Sequence, residues 1–259
     1  MLKIDDIIKP EMLEKAGNRH SVSGKANLPK LDTLFAVQNF PSPQFRSDDK
    51  RVRALGKALD GPMLTLRSID DFRRVQMEDE TLTPGAKQQR IAEYSRRLRN
   101  NTLDEMIALQ VETVQQIDSI QRKIDEAFKP SDSVSEMRRQ NIREDLAALP
   151  RKQRDDRVRN AILHNETEVI AAIATAPFSE RVTIPYTYQE CRELHARGAV
   201  GDNEYFALKD METGLEALEN AAKRFNDFVY EQYVNPASEI EAKAARANKE
   251  FLNEGNTNE

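Results

Sequence analysis

A row of apolar residues between Asp202 and Val234 constrains this chain more than any other feature. Leu208, Met211, Leu215, Leu218, Ala222, Phe225 and Val229 follow at alternating steps of three and four, which keeps them on one side of an α-helix. That spacing is the seam of a helix laid along another helix, and Tyr233 prolongs it by one turn. At 1.5 Å per residue the segment reaches about 48 Å, so the sequence predicts the spine of a bundle or a coiled-coil arm.

The natural partner is Leu103–Lys129. Asn100 and Asn101 interrupt the preceding pattern, and Thr102 with Glu105 reads as a capping box that starts a new helix. Its expected seam is Leu103, Ile107, Val114, Ile117, Ile124 and Phe128, with Ile120 beside it and Gln110 and Gln121 at heptad positions that are otherwise apolar. Polar residues there restrict register and partner number. Periodicity leaves open whether the two helices pair within one chain or between chains.

Residues 1–66 read as an irregular arm, because Pro10, Pro29, Pro41, Pro43 and Pro62 interrupt each candidate helix. Short helices are expected at Pro10–Ala16 and Asp49–Leu59. Leu31, Leu34, Phe35, Val37, Phe40 and Phe45 are too many apolar residues for a free tail, so the arm should dock on its own body or on a neighbouring subunit. A helical domain is expected over 67–254. Ser68 is placed to cap a short helix, Thr83–Pro84 starts the next, and Ser133 with Glu136 makes a capping box for Val134–Leu149. Asn165 with Glu168 caps a buried EVIAAIATA helix, Thr187 with Glu190 opens one ending by Gly198, and a last helix begins at Asn235. Residues 255–259 are expected to be a disordered tail. The fold class is all-α, an extended helical hairpin or bundle.

Composition agrees: 32% charged and 39% hydrophobic residues suit helices with much solvated surface, and 9 glycines with no tryptophan argue against a nucleotide-binding α/β fold. The single Cys191 excludes an internal disulfide and fits a reducing compartment. The start of the chain carries acids at Asp5 and Asp6 and reads as no signal peptide. Val169–Phe178, the longest apolar run, is too short to cross a bilayer. No membrane association is expected.

Residues 1–60 hold 11 basic against 8 acidic side chains, and residues 200–259 hold 6 against 13. Such asymmetry can favour heterotypic contacts, although a solvated acidic face is the simpler explanation. Arg138, Arg139 and Arg143, then Arg151, Lys152, Arg154, Arg157 and Arg159, could neutralise phosphates, with Arg151, Arg154 and Arg157 the candidate contacts. Residues 130–164 nevertheless hold 8 basic against 6 acidic groups and no aromatic residue for base stacking. Intrahelical ion pairs account for them more simply.

Cys191 and His195 share a helix face beside Glu190 and Glu193, but His20 and His164 lie elsewhere without ligand spacing. A helix interior supplies no oxyanion hole for a cysteine nucleophile. The sequence assigns no catalytic, cofactor-binding or metal residues; GxxxxGK, GxGxxG, GxSxG and HExxH are absent.

From Thr102 to Val234 the chain has a long amphipathic helix, the basic RKQRDDRVRNAILHNETEVIAAIATAPF segment, a short helix and a second long helix. This order, with the Ala172–Phe178 run AIATAPF, resembles uncharacterised helical proteins that tailed bacteriophages and prophages encode among their virion genes. After Pro177 the chain departs from that pattern, with SERVTIP in place of a glycine-containing loop. The resemblance implies a virion component or assembly protein located in the virion or host cytoplasm, with homo-oligomeric or virion-protein partners and no site residues to carry over. A nucleic-acid-associated protein and a regulator docking onto a host protein are the alternatives.

Overall fold

The structure, a computed structural model, describes residues 28–234. The helices expected at Pro10–Ala16 and from Asn235, and the tail at 255–259, lie outside the described residues. Among the described residues every regular element is helical: α1 (Thr33–Asn39), α2 (Lys50–Glu78), α3 (Pro84–Phe128), α4 (Ser133–Ala148), α5 (Arg151–Leu163), α6 (Thr167–Ala174), α7 (Pro185–Val200) and α8 (Asp202–Val229). A 3₁₀ turn occupies Phe178–Glu180, and a π-helical turn, Tyr230–Val234, follows α8. The chain divides into two compact units: residues 28–44, 53–111 and 214–234, and residues 45–52 and 112–213. The boundary expected at residue 66 falls inside α2.

In the first unit α2 and α3 form an antiparallel hairpin. Thr65 Oγ1 lies 2.7 Å from Thr102 Oγ1, and farther along α2 the Phe72 ring stacks on Tyr94, centroids 4.0 Å apart. The turn is built from its own polar groups: Asp79 Oδ1 accepts from Thr81 N, Thr83 Oγ1 accepts from Ala86 N, and Lys87 Nζ donates to the Met77 carbonyl. Pro84 then opens α3 where its missing N–H is not needed.

Three expected interruptions are absent. Pro62 lies within α2. A helix-interior proline costs about 3 kcal/mol, offset here by burial of Pro62 itself and of Leu55, Leu59, Met63, Leu66 and Ile69 along one stripe. Ser68 caps nothing; its hydroxyl donates to the Leu64 carbonyl one turn back. Asn100, Asn101 and Thr102 lie inside the 45-residue α3. Thr102 is buried against α2 rather than capping, so packing overrides a capping signal.

The inner line of α3 also differs from the expected seam. Leu103, Met106, Gln110, Thr113, Ile120 and Ile124 are buried, whereas Ile107, Val114 and Ile117 are half-buried. The line turns by about one residue towards polar side chains, which an apolar-only count passes over. On α8 Leu208, Met211, Leu215, Leu218, Phe225 and Val229 are all buried. Its row ends where Phe228 meets Tyr233 edge-on, 6.2 Å between centroids. Burial, with the nearby Asp70 charge, pushes the Tyr233 phenol up to about 12.

The described part of the arm docks in cis. Phe40 is buried, Phe35 packs edge-to-face on Phe228 at 5.3 Å, and Arg224 Nη1 donates to the Gln38 and Asn39 carbonyls at 3.2 Å each. In the second unit the buried Asp210 carboxylate accepts from the Arg46 and Ser47 amides at 2.7 and 2.6 Å. The Arg51 guanidinium forks onto Asp49 and Glu204 and holds both carboxylates below their usual range.

The second unit is organised around α6, whose residues Val169 to Ala174 are all buried. They form one core with Leu146 of α4, Val158 and Ala161 of α5, and Tyr188 and Cys191 of α7. Caps shift from their expected places. Asp132, not Ser133, caps α4 by accepting from Ser135 N. Glu166 precedes α6 without a side-chain cap bond, while Asn165 adopts φ 52°, which asparagine tolerates. Helix α7 runs through Gly198 to Val200 and ends at Gly201, φ 85°, where lack of a Cβ is required.

Candidate functional site

Three arrangements in the second unit bear on function: an ion cage, a helix carrying Cys191 and His195, and an open cleft.

Arg143 of α4 has a 5% exposed side chain. Its Nη2 donates to Glu136 Oε1 at 2.7 Å and its Nη1 to the Ala172 carbonyl at 3.4 Å. Nε lies 2.8 Å from Glu180 Oε2 without pointing its hydrogen at it, so that contact is ionic. The cage ties α4 to α6 and to the 3₁₀ turn. Glu136, expected in a capping box, serves here instead.

The candidate phosphate contacts are not a free row. Arg157 is bidentate on Glu166, which falls below its usual range. Arg154 is half-buried, with a buried Nε that meets no acceptor among the described residues, and Arg151 stands in solvent 4.0 Å from Asp155. Of the three, Arg157 is already engaged with the protein and Arg154 is half-buried, so they do not form one exposed row for a phosphate backbone.

Cys191 is fully buried, and burial pushes its thiol up to about 11. That suits a core residue and opposes a nucleophile. In native protein Cys191 should therefore resist a thiol reagent such as DTNB and react stoichiometrically once denatured; rapid labelling without unfolding would overturn this placement. His195 is half-buried with Nε2 2.9 Å from the Ala127 carbonyl. A carbonyl only accepts, so Nε2 carries the hydrogen. Burial is the main cause lowering the His195 pKa, with Arg139 and Arg192 contributing. No group of three or more His, Cys, Asp or Glu side chains among the described residues could hold a metal. None of the described helices is long and apolar enough to cross a membrane.

The cleft, of about 400 Å³, opens between α4, α6 and α7. Ser135, Arg138, Arg139 and Ile142 line it at helical spacing from α4, Glu168, Ile170 and Ala171 from α6, and Leu194, His195 and Gly198 from α7. Its volume lies within the range of small-molecule sites. Sequence reasoning grouped Arg139 with the basic stripe and missed the cleft. The face repeats every three to four residues but mixes cations with apolar groups, so neither an apolar nor a charge pattern stands out.

Elsewhere large apolar side chains stand in solvent in helical pairs: Leu34 and Val37 on α1, 64% and 62% exposed, and Val134 and Met137 on α4, 61% and 63% exposed. Phe178 is 84% exposed. Against known proteins, no family model, curated protein or solved structure matches the chain.

Proposed function

We propose that this is a non-enzymatic structural or assembly protein, acting through contacts between helices, and a component of a bacteriophage virion or of its assembly. The supporting observation is the pairing of exposed apolar residues three apart, Leu34 with Val37 and Val134 with Met137. Each pair shares one side of its helix, the form in which a helical surface meets a partner. The long helices α3 and α8 are proposed to frame an extended hairpin or bundle. Since the α8 row is buried within the chain, association is assigned to the exposed pairs rather than to the seam. The virion assignment rests on the order of helices and on the Ala172–Phe178 run.

Light scattering after size exclusion tests self-association. The full-length chain is expected at a multiple of 29.6 kDa that survives high salt, since apolar contacts are not screened. Leu34→Lys with Val37→Lys, or Val134→Lys with Met137→Lys, should reduce the mass to one chain without loss of helicity. A salt-stable monomer at micromolar concentration would overturn self-association.

A further inference from the structure

Arg139 is the one cleft-lining arginine of the second unit with a buried, unpartnered nitrogen among the described residues. Its side chain is half-buried and lines the cleft, and its Nη1 is buried with no acceptor. Among the described residues no hydrogen bond or ion pair reaches this guanidinium, in contrast to Arg143 and Arg157 nearby in sequence. A cation that has lost part of its hydration without gaining a counter-charge is costly. An anion on its open edge offsets that cost.

Gly198 leaves the α7 wall of the cleft open. It sits inside α7 and lines the cleft, and an added Cβ would meet nothing within 4 Å. Glycine within a helix is destabilising relative to alanine.

The remaining wall sets the ligand's chemistry. Ile142, Ile170, Ala171 and Leu194 are apolar, while Arg138 is matched by Glu168 at 3.8 Å. One positive charge is therefore uncompensated. A carboxylate neutralises it and fits the planar fork of a guanidinium. A phosphate dianion would carry excess negative charge towards Glu168.

We infer that the cleft between α4, α6 and α7 binds a small monoanionic carboxylate with a short apolar body. Arg139 holds the carboxylate, and Ile142, Ile170, Ala171 and Leu194 cover the hydrocarbon. The site stands independently of the assembly reading.

The test is an NMR titration of the full-length chain with hexanoate, hexanol and inorganic phosphate. Hexanoate should shift the amides of Arg139, Ala171 and Gly198 saturably, with Kd on the order of 1 mM. Hexanol and phosphate should bind at least tenfold more weakly. Arg139→Gln should weaken hexanoate tenfold or more, and Gly198→Met, which fills the cleft from another helix, should do the same with helicity unchanged. Should Arg139→Gln not fold, Gly198→Met decides. No saturable hexanoate binding, phosphate binding as tight as hexanoate, or hexanoate binding unaffected by Gly198→Met would each overturn the inference.

Discussion

Leu218→Asp is expected to unfold the protein. Leu218 is fully buried in the apolar row of α8, and a carboxylate there must be buried without a partner, protonated, or exposed by opening the structure. Each route, added to the lost packing, costs about 4 kcal/mol or more, a large part of the about 5–15 kcal/mol that holds a domain together. Leu218→Met, of similar volume, should cost less than about 1.5 kcal/mol, separating charge from shape. Thermal melts followed by circular dichroism read both. The aspartate variant should lose its cooperative transition and most of its helicity, whereas the methionine variant should melt within a few degrees of the parent. An aspartate variant with parental helicity and midpoint would show that Leu218 does not face the interior.

That prediction rests on the segment most legible in the sequence. The α8 row could be read because six of its positions are large and apolar at unbroken helical spacing, and no competing signal runs through them. Helix α3 was legible as a helix but not in its facing. Its buried line includes Gln110 and Thr113, and a pattern that counts only apolar residues rotates towards Ile107, Val114 and Ile117 instead. The break signals at Pro62 and at Asn100–Thr102 are instead outweighed by packing. Local signals carry about 1 to 3 kcal/mol each, and burial of neighbouring side chains, as at Leu59, Met63 and Leu66 around Pro62, supplies as much. The hairpin partner of α3 in the first unit, α2, was hidden because the sequence splits it at Pro62. Of the cleft, single residues were visible but their convergence was not: Arg139, Ala171 and Gly198 are on three helices, and nothing in local periodicity brings them together.

The Arg143 cage predicts an unequal response to removing its two sides. With Glu136→Gln and Glu180→Gln together, the guanidinium, 5% exposed, stays buried without a counter-charge. Loss of a buried cation's partners costs about 3–5 kcal/mol, and the lower end applies because the two carboxylates are 40% and 45% exposed and partly screened by water. Arg143→Met leaves instead two half-exposed acids that can turn to solvent, and a Met side chain that fills the space beside α6. Its loss reduces to the hydrogen bonds to Glu136 and the Ala172 carbonyl, about 1–2 kcal/mol. Urea unfolding of the three proteins should therefore order them parent, Arg143→Met, then double glutamine, with the last at the lowest midpoint. Added salt should leave that order intact, because the cost sits on a group shielded from solvent. A double-glutamine variant as stable as the parent would mean that Arg143 finds its counter-charge elsewhere. One less stable than Arg143→Met means the acids are retained in this all-helical unit because they make a buried arginine tolerable, not because the ion pairs add stability beyond what an apolar side chain would give.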